Sequence, residues 1–309
     1  MAIGSSSSLK LRLPVAAALL AASFAIPASA ADFRLEKSFT LASGDRFILD
    51  SDLGGVTLRG VGGSQASILV TSDREDLATL YDFKFDQGPG QLKMKVERRH
   101  QAFFGWFDSF HGTVRIEVQV PRETPVDLGT SGGGIDVADL LAQVKTSSSG
   151  GAVAVHLVHG AVHLESSGGG VSATDIDGTA YADSSGGSVK LERVTGDIEA
   201  SSSGGGVHIE DAGGRVKADS SGGPVKVRFA AGNSKGGDLD SSGGGVVAAV
   251  DAGIAVDIDA SSSGGSVHCN VPVTIQGRIS SDRVRGKLNG GGALLRLRSS
   301  GGGITIESR

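Results

Sequence analysis

Six residues, Ser166-Ser167-Gly168-Gly169-Gly170-Val171, set the limits on what this chain can fold into, because they keep returning. The first Gly of each copy falls at Gly132, Gly150, Gly168, Gly186, Gly204 and Gly222, always 18 apart. Copies at Gly243, Gly264 and Gly301 follow with small insertions, and a degenerate copy sits at Ser280-Ser281-Asp282. A fixed period of this length means a repeat architecture, in which one unit cannot bury its apolar face but stacked units can.

Between the Ser-Gly corners the apolar residues form columns. Ile135, Val153, Val171, Val189, Val207 and Val225 share one, and Val137, Val155, Ala173, Leu191, Ile209 and Val227 lie two residues on. A second set runs through Val144, Val162, Ala180, Ile198 and Val216, with Leu164, Ala182, Ala200 and Ala218 two later. Polar residues fall between, the period-2 pattern of half-buried strands. Each period therefore holds two short strands and two turns. The second turn carries Gly160, Gly178, Gly196 and Gly214, again 18 apart. The recurrence predicts tight bends with φ > 0 at Gly178 and Gly196. Ser148, Ser166, Ser184, Ser202 and Ser220 predict a stacked row at a corner too narrow for larger side chains.

The fold class expected is all-β, a parallel β-solenoid with 18-residue coils about 4.8 Å apart. Right-handed winding is the default for parallel crossovers. Val171, Val189 and Val207 should share one interior row across residues 132–301. Outside, Asp175, Arg193 and Asp211 alternate in sign and should pair between coils. Glu192 and Glu210 put like charges on neighbouring coils, with Lys190 and His208 beside them.

In chain order, residues 1–30 read as a signal peptide. Lys10 and Arg12 precede an apolar run over 15–26 too short to span a bilayer, and Ala28-Ser29-Ala30 is a small-residue cleavage site. The mature chain is expected to be exported, to the periplasm or the cell surface, with no transmembrane segment. The net charge is −5, and losing Lys10 and Arg12 with the leader makes it −7, which does not suggest a nucleic-acid binder. Residues 31–130 alternate less regularly and read as an irregular N-terminal β cap, with a helical turn near 73–81; residues 131–309 carry the regular repeats. Inside the cap, Ala102-Phe103-Phe104-Gly105-Trp106-Phe107 opens an aromatic segment. It reads either as a lid over the solenoid end or as an exposed anchor, with Trp106 and Phe107 as contacts. Residues 230–237 should form a protruding loop. Residues 278–309 hold seven basic residues against Asp282 and Glu307. Read as the outermost coils, they offer either a solvated face or, through Arg296 and Arg298, a contact for anionic envelope polymer.

Chemistry-bearing motifs are few. His156, His159 and His163 fall within eight residues but project from different strands and should not converge on one metal ion. No Lys-Ser/Thr follows the Gly-rich turns, as nucleotide loops require, and no Ser sits in a nucleophile elbow. Glu192 and Glu210 are the nearest approach to an acidic catalytic pair. Cys269, the one cysteine, reads as a small apolar filler. The expectation is no catalytic residue, no cofactor and no metal.

The Ser-Ser-Gly-Gly-Gly-Val register, the leader, and the lead-in Val118-Gln119-Val120-Pro121 before Leu128-Gly129-Thr130-Ser131-Gly132-Gly133-Gly134-Ile135 resemble the bacterial β-strand-repeat family called "putative adhesin", a domain of unknown function. The resemblance implies the solenoid fold and an envelope location, and some relatives are associated with envelope stress. The first expectation is a non-enzymatic envelope or surface binder whose partner is an anionic polymer, a glycan or an envelope protein. The alternatives are a structural or sensory component of an envelope-stress system, and an enzyme acting on polysaccharide.

Overall fold

The alternating pattern becomes 27 strands among the described residues, in two mostly parallel sheets of 13 and 14. The computed structural model describes residues 32–99, 112–275 and 280–309. The leader, the aromatic segment with Trp106 and Phe107, and Arg278 lie outside the described residues. The described residues belong to one compact unit.

The N-terminal part contributes β1 (Phe33–Thr40), β2 (Arg46–Ser51), β3 (Gly55–Val61), β4 (Gln65–Ser72), a single helical turn α1 (Leu77–Leu80), β5 (Tyr81–Gly88), β6 (Gln91–Arg98) and β7 (Val114–Pro121). The repeats supply strand pairs that alternate between the two sheets. They are β8 (Val126–Thr130), β9 (Ile135–Leu140), β10 (Val144–Ser148), β11 (Val153–His159), β12 (Val162–Ser166), β13 (Val171–Asp177), β14 (Ala180–Ser184), β15 (Val189–Val194), β16 (Ile198–Ser202), β17 (Val207–Ala212), β18 (Val216–Ser220) and β19 (Val225–Phe229). After the insertion come β20 (Gly237–Ser241), β21 (Val246–Val250), β22 (Val256–Ser262), β23 (Val267–Cys269), β24 (Val273–Ile275), β25 (Arg283–Leu288), β26 (Ala293–Ser299) and β27 (Ile304–Ser308).

Through the regular coils each strand pairs in parallel with its counterpart one coil on. Val171 lies opposite Val189 and Val189 opposite Val207, and all three are buried, as the columns require. Val56 continues that row below Ile135, so β3 is stacked directly on β9, and β2 on β8. The N-terminal end then turns antiparallel: β4 against β7, β1 against β4, and β5 against β6. The edge strands β1 and β5 meet each other there. Phe33 stacks on Phe83 at 5.7 Å, Phe39 lies 5.6 Å from Phe85, and the Gln87 amide donates to the Thr40 carbonyl at 2.7 Å. This side-to-side closure shields the sandwich interior at that end.

The other end departs from expectation. The coil of β26 and β27 is not outermost. β26 lies between β20 and β22, and β27 between β21 and β23, so the last coil in sequence is wedged between two earlier ones. The outer strands of the second sheet are β25 and β24, and both join it antiparallel. The degenerate copy at Ser280-Ser281-Asp282 is thus a tight turn into β25, where Ser280 bridges Arg283, and not a coil corner. The insertion also folds back. The Asn233 side chain is buried and donates to the carbonyls of Ala212 and Gly214 at 2.6 and 2.9 Å.

Corner chemistry explains the Ser row. Each Ser hydroxyl donates to a Gly carbonyl of the preceding coil and accepts an amide from its own turn. Ser166 Oγ donates to Gly151 O at 2.8 Å and accepts from Gly169 N at 3.0 Å. Ser148, Ser184, Ser202 and Ser220 repeat both bonds, at 2.8 Å to the carbonyl and at 2.9 Å or 3.0 Å from the amide. Only a small side chain that both donates and accepts can do this in a buried corner.

Backbone geometry corrects one expectation. Gly178 and Gly196 do not have positive φ. They are Gly because a Cβ there would collide with the carbonyl oxygen of the Gly one coil below, Gly160 and Gly178 respectively. The left-handed positions belong to other side chains: Asp139, Leu157, Asp175, Arg193 and Asp211, with φ between 53° and 63°. They are 18 apart, and the strand pairing skips those from Leu157 to Asp211 on both partners at once, with the register unchanged on either side.

Two buried hydroxyls should respond oppositely to removal. Ser184→Ala orphans a carbonyl and an amide and is expected to cost about 1–3 kcal/mol. Thr146 is fully buried, and its hydroxyl is the one buried side-chain polar atom without a partner among the described residues. Thr146→Val is expected to stabilise by about 1 kcal/mol. Chemical denaturation of both variants checks the pair, and a loss at Thr146 would contradict this account.

Candidate ligand groove and charged surface

Because the inward columns are committed to the core, recognition must use the outward ones. On the second sheet, the residue before each strand and the second residue within it form two adjacent columns at the corner. Gln143, Ala161, Thr179, Asp197 and Arg215 make the first; His163, Tyr181, Glu199 and Lys217 lie in the second. Together they line a hollow of about 380 Å³ that crosses five coils, running across the strands.

The rings sit in its middle. His163 and Tyr181 are register neighbours on β12 and β14, with centroids 4.3 Å apart and planes only 6° from parallel. His163 Nε2 is 2.8 Å from Glu165, two residues along the same strand. Burial, then the carboxylates of Asp183, Glu165 and Glu199, push the Tyr181 phenol up from its ordinary value, so it remains an O–H donor. The charged groups are already paired. Lys217 reaches Glu199 at 2.6 Å, Arg215 reaches Asp238 at 2.7 Å, and Asp197 accepts the Arg215 backbone amide at 2.8 Å. The Glu199 hydrogen bond holds the Lys217 ammonium above its usual range.

A column further along the strands is acidic. Glu165, Asp183, Ser201, Asp219 and Asp240 are successive register partners, followed by Arg298. Asp183 accepts from the Ser201 hydroxyl. Asp219 has its carboxyl pushed up, first by burial, with Asp240, Glu199 and Asp238 adding to it and Lys217 opposing.

The other sequence candidates are accounted for singly. Arg296 is half-buried and reaches Asp238 at 2.8 Å; Arg298 is exposed without an ion-pair partner among the described residues. Arg283 and Arg285 both turn to Asp259, and Arg309 to Asp211, so carboxylates from other coils offset much of the basic stretch. His156 faces Asp136, His159 faces Asp177 and His163 faces Glu165, on two different sheets. Glu192 pairs with Lys190 and Arg193, and Glu210 with His208 and Arg228. Arg193 also grips Asp175 with a two-pronged contact at 2.6 and 3.0 Å, the between-coil pairing expected from their signs. Cys269 is half-buried, and burial raises its thiol above the ordinary value. The groove itself was missed from sequence. The signal was there: Tyr181, one of two Tyr in the chain, stands one coil after His163 and one coil before Glu199, with Lys217 a coil further on.

Asp219 provides a test of this surface. Its raised pKa means the folded state holds the proton more tightly than the unfolded chain. That contribution is fully present below 3.8 and is lost as pH rises through the folded value. Asp219→Asn is therefore expected to be more stable than the parent at pH 7, with the gain shrinking toward pH 3.5. Denaturant midpoints across that range check it; a gain that grows on acidification would contradict the assignment.

Residues 56–307 match the Toastrack DUF4097 family. Among solved structures, the chain is similar to a "putative adhesin" from Parabacteroides distasonis ATCC 8503, with 12% identity over 89% of this chain and 97% of that one and a TM-score of 0.48. A "putative lipid binding protein" from the same organism aligns at 12% identity over 88% and 96%, TM-score 0.45. A "putative adhesin" from Bacteroides fragilis NCTC 9343 gives 11% identity over 89% and 97%, TM-score 0.41. No curated protein matches.

Proposed function

This chain belongs to the Toastrack DUF4097 family, and we propose that it is an exported, non-enzymatic scaffold that holds a neutral saccharide chain at the cell envelope or surface. The observation that carries the reading is the groove around His163 and Tyr181. A pyranose presents an apolar C–H face and a rim of hydroxyls. His163 stacks on one face of the Tyr181 ring; the opposite face is the flat apolar surface for a sugar, and Gln143, Thr179, Asp197, Glu199, Arg215 and Lys217 offer donors and acceptors beside it. Because the charges of Glu199 and Lys217 are already paired, as are those of Arg215 and Asp238, a neutral ligand suits the site better than an ionic one. The hollow falls within the roughly 300–1,000 Å³ range of small-ligand sites, and its course across the coils suits a linear polymer.

The proposal includes residues 1–30 as an export leader, 31–130 as an N-terminal β region, and 131–309 as repeats wound in the right-handed sense usual for parallel crossovers. A second contact, with anionic polymer through Arg298, draws on that side chain's exposure and lack of an ion-pair partner among the described residues. Salt would weaken this contact and leave the groove unaffected.

Titration with neutral hexose and N-acetylhexosamine oligosaccharides tests the main reading. Tyr181→Ala is expected to weaken binding about tenfold, equivalent to about 1.4 kcal/mol, with the strand signature in circular dichroism unchanged. Lys226→Ala, exposed on β19 of the other sheet, should bind as the parent does. Equal binding by the Tyr181 variant would exclude the groove. Binding that falls with salt and with Arg298→Glu would move the contact to the basic coil.

A further inference from the structure

The wedged coil has a consequence for assembly. The slot it fills is walled by β20 and β21 on one side and by β22 and β23 on the other. Corner bonds fasten both walls: Ser299 donates to Gly244 O at 2.8 Å, and Ser262 donates to Gly302 O at 2.7 Å. Arg296 adds its contact to Asp238, and the Arg309 amide donates to Val250 O at 2.9 Å. Among the described residues, no direct pairing links β22 to β20 or β23 to β21, so the wedge alone joins the outer coil to the body through strand hydrogen bonds.

The wedge arrives through a four-residue arch, residues 289–292, that straddles the start of β22. Val256 pairs with Leu288 on one side and with Ala293 on the other. Asn289, Gly290 and Gly291 are successive left-handed residues, with φ of 48°, 89° and 86°. The Asn289 amide donates to the carbonyls of Ala252 and Ile254 at 2.6 and 2.8 Å, so the arch crosses the connection from β21 to β22. Crossed connections are rare in folded chains. Short, tight hinges are also the ones that favour exchange of an element between copies.

We propose that the β26–β27 coil is exchanged between two copies of this chain, each filling the slot of the other. Every strand and corner bond that the coil makes with residues 237–269 is available unchanged in a second copy. Exchange opens the arch, releases its three left-handed residues, and removes the crossing over residues 251–255. A closed two-fold pair leaves no slot empty, and such exchange is a low-cost route to a dimer.

The test uses full-length chain with Cys269→Ser as background. Asp240 on β20 and Arg298 on β26 are outward register partners. A double variant, Asp240→Cys with Arg298→Cys, must first form its disulfide, within one chain or between two, which establishes that the two positions can bond. The single variants are then unfolded together, refolded as a mixture and oxidised. Exchange predicts a covalent heterodimer of the Asp240→Cys and Arg298→Cys chains, absent when Lys145→Cys replaces Arg298→Cys. Gly291→Val blocks the arch, because its side chain would meet the Asp257 carboxylate and a β-branched residue resists φ of 86°. It is expected to raise the dimer association constant on the order of tenfold by light scattering. A double variant that bonds as a monomer while the mixed singles give no heterodimer would overturn the proposal. So would a Gly291 variant that unfolds without gaining dimer.

Discussion

A serine hydroxyl that bonds two coils at once is the interaction on which this fold depends. At each Ser-Gly corner the chain reverses within a single coil, and its turn amides and carbonyls face a neighbouring backbone too close for water. Ser184, fully buried, gives its proton to Gly169 O and takes one from Gly187 N. An unpartnered pair in that setting would cost about 1–3 kcal/mol per coil. The glycines serve the same end by a different route. They let backbones stack with no Cβ between them, so the corners are held at strand spacing along the whole array.

Much of this was legible in the sequence, for a physical reason. Period 2 within strands and period 18 between them are direct consequences of pleat and stacking, so the rows through Val171 and Val144 could be read off before any coordinate. The role of Gly196 could not. Left-handed backbone and close approach both select glycine, and only geometry distinguishes them. The left-handed residues turned out to be Asp175, Arg193 and their column, which share no one residue type. Coil order at the far end was equally hidden. Ser241, Ser262 and Ser299 head nearly identical corners, so the pattern allows any of them to follow any other. The wedge is decided by the arch at 289–292 and by specific partners such as Asp238 for Arg296.

Separation of core and surface explains why the functional reading depends on so few side chains. Inward columns carry the stability, and outward columns are free to vary coil by coil. A groove can therefore be written into Gln143, His163, Tyr181, Glu199 and Lys217 without disturbing a single interior row. The same separation lets outward carboxylates offset the basic stretch. Stacking brings Asp211, Asp238 and Asp259 to Arg309, Arg296 and Arg285 from coils 26 to 98 residues away.

Hydrogen exchange at the corner glycines tests the central claim most directly. The amides of Gly151, Gly169, Gly187, Gly205 and Gly223 lie in turns, and each donates to a Ser hydroxyl at 2.9–3.0 Å. If those bonds hold the coils together, these amides should exchange as slowly as the strand amides of Val171 and Val189. Exchange at the rate of open turns, with the strands still protected, would show that the serine row follows the stacking and does not sustain it.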